Sequence, residues 1–245
     1  MTTHGSRAGR ADAPSSASGR PLPRAARLRR LLVVATCSWL GGGCGGLLPT
    51  APADDVSLHV LDVRPAVATA PRRDQVLAVS PPRGAPGVDS AAMTYVQKAH
   101  GLDHYATHRW ADTPARMLEP LLTRALEDTG SFRAVVQARS GVKGDLRLDT
   151  EIVRLRQSFL AQPSRIELAL RAQLVDIAGA RVLATRHVEI VQEAPSDDAA
   201  GGVAAANTAV ARALVQLAEF CVDAAAALRR PAAAAERAPG APLRP

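Results

Sequence analysis

Between Leu146 and Gln192 apolar and polar residues alternate at nearly every second position, a period that suits a sheet with one buried face. Leu146, Leu148 and Ile152 share one phase, whereas Val153, Leu155 and Phe159 share the other. One extra residue therefore enters near Ile152, which predicts a β-bulge. Ile166, Leu168, Leu170, Ala172 and Leu174 alternate strictly with Arg165, Glu167, Arg171 and Gln173, and Asp176 to Ala180 turn the chain into Arg181 to Gln192. The pattern is a three-stranded antiparallel meander with one wet face. The other face needs cover, and residues 199–228 supply it. Val203, Val210, Leu214, Leu217, Cys221 and Leu228 form one stripe of a helix about 40 Å long, whose many alanines permit close packing.

Upstream, Val56 to Val63 and Gln75 to Ser80 read as short strands, with Pro81-Pro82 and Pro86-Gly87 marking a loop after them. Asp89-Ser90 is expected to cap a single helical turn before Met93 to Val96, and Leu102 to Trp110 is expected to be extended. Asp112-Thr113-Pro114 places an N-cap before a proline at the first helical position, where its missing N–H costs nothing. Met117, Leu118, Leu121, Leu122, Ala125 and Leu126 then recur at helical spacing up to Gly130, the C-terminal stop. Phe132 to Ala138 reads as a strand, and Gly141 and Gly144 as a turn. The expected fold class is α+β: a mostly antiparallel sheet covered by two main helices, in one domain spanning 56–228. Residues 229–245 have no apolar period and read as a disordered tail.

The N-terminus has a different organisation. Arg24 to Arg30 precede the largely apolar run Leu31 to Leu40, and Gly41, Gly42 and Gly43 lead into Cys44, the order of a secretory signal. Ten residues rise about 15 Å as a helix, half of a ~30 Å hydrocarbon core, so they suit a signal and not a span. A cysteine directly after the cut is the demand of the lipoprotein type of signal peptidase, which makes Cys44 the expected lipid-attachment residue after removal of residues 1–43. The lipobox is imperfect, since Gly41 stands where leucine is usual and Leu40 lies one step early. Cys37, with Val34 three residues before it, is the rival site, and an unlipidated Gly-rich loop is the plain alternative. Arg29-Arg30 also admits a twin-arginine reading. The thirty-residue n-region exceeds the usual signal and points to a translation start further downstream. Residues 44–55 are rich in Pro, Gly and Ala and read as a flexible tether. Under the enterobacterial sorting rule Gly45, in place of an aspartate, directs the protein to the outer membrane, facing the periplasm.

A formal charge of +7 invites a nucleic-acid partner. Its location removes that reading. Residues 1–43 hold seven arginines against the single acid Asp12, while the remaining 202 residues hold 23 basic and 22 acidic side chains. The basicity goes with the cleaved segment, and an aromatic content of 3% is too low for a stacking platform.

Asp103, His104, His108, Arg109 and Asp112 form the densest polar cluster. In a regular strand His104, His108, Trp110 and Asp112 share a face, with His104 and His108 about 13 Å apart, too far to bind one zinc together. A helical segment would bring them within reach of one ion but would still need a third ligand. No metal or other cofactor is expected. No nucleophile elbow or phosphate loop occurs, and Ser80, Ser90 and Ser158 have no recognisable activating context. An envelope hydrolase using His104 or His108 is the least supported reading, and the chain is expected not to be an enzyme.

Pro86-Gly87-Val88-Asp89-Ser90, Met93, Tyr95, Tyr105-Ala106-Thr107-His108-Arg109-Trp110-Ala111-Asp112-Thr113-Pro114, Met117-Leu118 and Gly130-Ser131-Phe132-Arg133-Ala134-Val135-Val136 resemble the ABC-type transport auxiliary lipoprotein family. Ala204-Ala205-Ala206-Asn207 and the helix around it are similar to that family too. The resemblance implies an accessory component of an MCE (mammalian cell entry) system that moves lipids between envelope membranes, beside an MCE-domain subunit, a permease and an ATPase on other chains. A homo-oligomer is compatible with it. The family has no established catalytic residues to carry over. Tyr105, His108, Arg109, Trp110, Ala111, Asp112 and Pro114 are its motif here, with Arg109, Trp110 and Asp112 expected to fix the strand-to-helix corner in preference to contacting a partner. The alternative is a structural or assembly lipoprotein of the outer membrane unrelated to transport.

Overall fold

The computed structural model describes residues 55–228. The expected signal peptide, Cys44, the tether up to residue 54 and the tail 229–245 lie outside them. In chain order the strands are β1 (Ser57–His59), β2 (Val76–Val79), β3 (Arg83–Gly84), β4 (Ala92–Val96), β5 (Asp103–Trp110), β6 (Ala134–Gln137), β7 (Leu146–Ser158), β8 (Arg165–Asp176) and β9 (Arg181–Glu193). Helix α1 (Pro114–Asp128) lies between β5 and β6, and α2 (Ala199–Ala227) follows β9.

Strand β7 organises the sheet. Along one edge it pairs antiparallel with β8, which pairs in turn with β9, and these long ladders are the meander read from the alternation. Its other edge is shared by short parallel strands: β2 at Leu146 to Leu148, β3 at Glu151 and Ile152, β4 at Gln157 and Ser158. Beyond β2 lies β6, parallel to it, and beyond β4 lie β5, antiparallel, and β1, parallel to β5. The fold is α+β and the sheet is mixed.

The register of β7 against β8 shifts between Ile152 and Arg154, so Val153 is the inserted residue of a bulge and is 44% exposed. The shift has a consequence for the core. Before it, Leu148, Thr150 and Ile152 are buried; after it, Leu155 and Gln157 are. Leu148, Ile152 and Leu155 meet Leu118, Leu122 and Leu126 of α1 and Leu214, Leu217 and Cys221 of α2 in one cluster. A fully buried leucine contributes roughly 1.5–3 kcal/mol, so tertiary packing, more than alanine propensity, holds the helices.

Both helix starts are capped, that of α1 within the Asp112-Thr113-Pro114 segment that predicts it. Thr113 takes an extended backbone (φ −60°, ψ 143°), its Oγ accepts from the Arg116 amide at 3.4 Å, and Pro114 follows in the first turn. Gly130 closes the other end of α1 with φ +63°, a left-handed conformation that costs glycine little. Asp198 caps α2, its carboxylate accepting from the Gly201 amide at 2.7 Å.

Three expectations change. The helical turn expected after Asp89-Ser90, before Met93 to Val96, does not form: residues 89–91 are bends and β4 begins at Ala92. The Ser90 hydroxyl accepts from the Ala92 amide at 3.3 Å, and the strand pairs with β7 some 60 residues later, so a tertiary ladder overrides the local capping signal. Of Val56 to Val63 only Ser57–His59 pairs, because its partner β5 turns into the α1 corner just beyond. Phe132 to Ala138 narrows to Ala134–Gln137, with Ala138–Ser140 forming a 3-10 turn.

Candidate functional site

The motif strand β5 is not regular. Against β4, Ala92 pairs with Arg109 but Thr94 pairs with His104, so five steps on β5 oppose two on β4. The excess residues break the alternation. Tyr105 and Trp110, which a regular strand would point to opposite faces, both line one small pocket with Met93, Gln157 and Gly202. The expected common face of His104, His108, Trp110 and Asp112 does not form: His104 is exposed, His108 is half-buried and Trp110 is 5% exposed.

A polar node sits behind this strand. The Tyr105 hydroxyl donates to Gln157 Oε1 at 2.9 Å, and Gln157 Nε2 donates to the Ser164 hydroxyl at 2.9 Å and to the Asp198 carbonyl at 3.1 Å. Every polar atom of the buried amide has a partner, which is what makes its burial tolerable. Gly202 leaves the room: a Cβ there would stand 2.1 Å from Gln157 Oε1. Burial, with the nearby Tyr95 and Asp198, pushes the Tyr105 phenol up to about 12, so it remains a donor at any ordinary pH. The Asp197 carboxylate accepts from the Ser164 amide at 2.6 Å and is held below the usual range by that bond. The node thus ties β5, β7, the β7–β8 loop and the start of α2 together.

His108 faces outward from the node toward β1. His59 Nε2 and His108 Nδ1 are 3.0 Å apart, with the rings stacked at 5.3 Å, and the Tyr105 ring meets His108 edge-on at 5.9 Å. Arg109 is exposed. The Trp110 amide donates to the Ala91 carbonyl at 2.9 Å and the Ala111 amide to the His59 carbonyl at 2.7 Å. Asp112 accepts from the Thr113 amide at 2.7 Å and pairs with Arg116 at 3.3 Å, and Pro114 is buried at the helix start. Trp110 and Asp112 therefore occupy the strand-to-helix corner, and Arg109 precedes them on β5 with its side chain exposed.

Below this corner runs an open groove of about 430 Å³ between residues 60–62 and α1. Val60, Leu61, Ala111, Met117, Pro120 and Leu121 make it mainly apolar, and Asp62, Asp112 and Arg124 supply its charged margin. Pro120 inside the helix gives up a backbone hydrogen bond and presents its ring to the groove. Val56, Leu58 and Val60, 48%, 66% and 53% exposed, prolong the apolar surface along β1. The wall is fastened by Asn207 of α2, whose Oδ1 accepts from the Asp62 amide at 2.8 Å and whose Nδ2 donates to the Val60 carbonyl at 3.3 Å. The sequence signals for this are only the Asn in an alanine-rich helix and the apolar residues of 56–63.

Among the described residues no group of three His, Cys, Asp or Glu side chains is placed to hold a metal ion, and no helix is long and apolar enough to cross a membrane. The Ser80 hydroxyl donates to Asp149 at 2.6 Å, and Cys221 is fully buried with its thiol pushed up by desolvation.

A model of the family described as the ABC-type transport auxiliary lipoprotein component matches residues 59–218. The fold is shared with a crystallised Xanthomonas campestris protein, 24% identical, with a TM-score of 0.63 over 70% of this chain and 98% of that one. A second crystallised protein, uncharacterized, is 12% identical with a TM-score of 0.55, over 68% of this chain and 99% of its own. Both likenesses concern the fold. No curated protein matches the chain.

Proposed function

The chain belongs to the ABC-type transport auxiliary lipoprotein family, and from that premise we propose that it is the lipid-anchored accessory subunit of an MCE-type system moving lipids between envelope membranes. Family membership makes it a membrane-anchored lipoprotein associated with ABC transport. The finer reading adds lipid on Cys44, an outer-membrane anchor with Gly45 in support, and a body facing the periplasm. Its partners are an MCE-domain subunit, with the permease and ATPase on further chains.

The observation that carries this reading is the groove between residues 60–62 and α1, an apolar surface built on the family motif and opening beside an exposed apolar edge strand. Surfaces of this kind serve recognition. The role is binding and not catalysis, a reading supported by a polar node whose groups are spent on one another.

Affinity purification of the full chain from cross-linked envelopes of its own host tests the proposal. The expected result is co-recovery of an MCE-domain subunit. Repeated recovery of envelope assembly factors with no transporter subunit would overturn it. Intact-mass analysis of the same material checks the anchor, since an unmodified Cys44 or a retained Leu31 to Gly43 segment is incompatible with it.

A further inference from the structure

The hydrogen bond between His59 and His108 has a property that few others in the fold share: it survives one protonation and not two. At 3.0 Å, His59 Nε2 and His108 Nδ1 must hold one proton between them, donated by one ring to the lone pair of the other. A first added proton goes to an outward nitrogen or leaves an imidazolium N–H donating to a neutral ring, and the bond stands. A second places N–H groups on both facing nitrogens and two positive charges on rings whose centres are 5.3 Å apart. The bond is then lost and the rings repel.

What the pair holds is a weakly held strand. β1 contributes only Ser57 to His59 to its parallel ladder with β5, and Leu58 is 66% exposed. The residues after His59 are the groove wall, Val60 to Asp62, secured on their far side by Asn207. We propose that the His59–His108 pair is a pH-operated latch on β1: it keeps the strand, and with it the groove wall, in place until both rings carry a proton.

The groups facing the pair set its working range. On β5 Tyr105 meets His108 edge-on, and its phenol stays neutral. On α2 the Asp198 carboxylate is near enough for His108 to help hold it below the usual range, after its bonds to the Gly201 amide and Ser196. That charge tolerates one imidazolium beside it and is already committed to the helix cap. Burial, and then the charge of His108, lowers the His59 value from its ordinary 6.5. The folded protein thus refuses a proton that the unfolded chain takes up. Stability owed to the neutral ring is complete above 6.5 and is lost as pH falls below it.

Hydrogen–deuterium exchange of the full-length chain, read by mass spectrometry at about pH 7.5 and about pH 5 and corrected for intrinsic exchange, tests the latch. Peptides covering residues 56–62 are expected to exchange about tenfold faster in acid, while β7 and β8 do not change. His59→Gln and His108→Asn, each of which leaves one titrating ring, should abolish the acceleration independently. His104→Gln, on the exposed part of the same strand, should keep it. Acceleration that is absent in the native protein, survives in either pair variant, or disappears in H104Q overturns the proposal. The outcome does not depend on which transport partner is recovered.

Discussion

Asn207 binds the Asp62 backbone across 145 residues of sequence, accepting its amide at 2.8 Å while its own Nδ2 donates to the Val60 carbonyl at 3.3 Å. One side chain thereby replaces the strand pairing that β1 lacks beyond His59, and it does so at the edge of the groove. Asn207→Ala removes both bonds. Water reaches the freed groups, so the expected loss of global stability by urea denaturation is only about 1 kcal/mol. Amide exchange at Val60 to Val63 should rise more than that loss accounts for. Asn207→Asp keeps the acceptor alone and should fall between the two; a variant indistinguishable from native in local exchange would show that the clamp is not holding the wall.

Gly202→Ala should be among the most damaging small substitutions in α2. Its new methyl would stand 2.1 Å from Gln157 Oε1, and the amide cannot retreat because Ser164 and the Asp198 carbonyl hold its nitrogen. A cost of about 1–3 kcal/mol is expected, read as a fall in Tm of about 2–4 °C for each kcal/mol. Combining it with Gln157→Ser gives the check. Relief of the clash predicts a double variant more stable than the sum of the two single losses, whereas strict additivity would place the damage elsewhere.

The same node shows what sequence patterning carries and what it does not. The meander, the bulge at Val153, the caps of α1 and the apolar stripe of α2 are local periodicities or turn chemistries, and each is readable from residues near one another in the chain. The start of β4 is not legible locally, because Ser90 is a sound local cap and the strand's partner lies in β7. Tyr105 stands out only through family resemblance, and His108 through that and its place in a polar cluster. Their contacts, Gln157 and His59, lie 52 and 49 residues away, and the irregular register of β5 turns the two aromatic ends of the motif to one side against the alternation rule. Asn207 stands out in the sequence only as a polar residue of an alanine-rich helix, since its role depends on where a distant backbone arrives.

Acid should weaken the fold in a second step, distinct from the histidine latch. Asp198 is held below the usual range chiefly by the Gly201 amide, and Asp197 chiefly by the Ser164 amide. A carboxylate with a lowered folded value contributes stability above its unfolded value near 3.8, and that contribution is lost as pH falls further. The Tm is therefore expected to fall steeply below about pH 4. Asp197→Asn with Asp198→Asn retains hydrogen-bond acceptors but no titration, so its acid limb should be flatter while its Tm near neutrality changes little. An acid limb identical to the native one would remove these carboxylates from the account.

Groove variants connect the surface to the proposed partnership without disturbing the core. Val60 is 53% exposed and lines the groove, so Val60→Glu should change stability by no more than about 0.5 kcal/mol. It places a carboxylate beside Asp62 and Asp112, where an apolar partner segment would have to desolvate it. Recovery of the transport partner in affinity purification should drop at least about tenfold, corresponding to about 1.4 kcal/mol of binding. Val191→Glu, 55% exposed on β9, carries the same change of charge away from the groove and should leave recovery intact. Equal loss in both variants would indicate a general charge effect. Full recovery with a folded Val60→Glu protein would mean that the partner docks elsewhere, because no apolar contact across Val60 could survive that substitution unaltered.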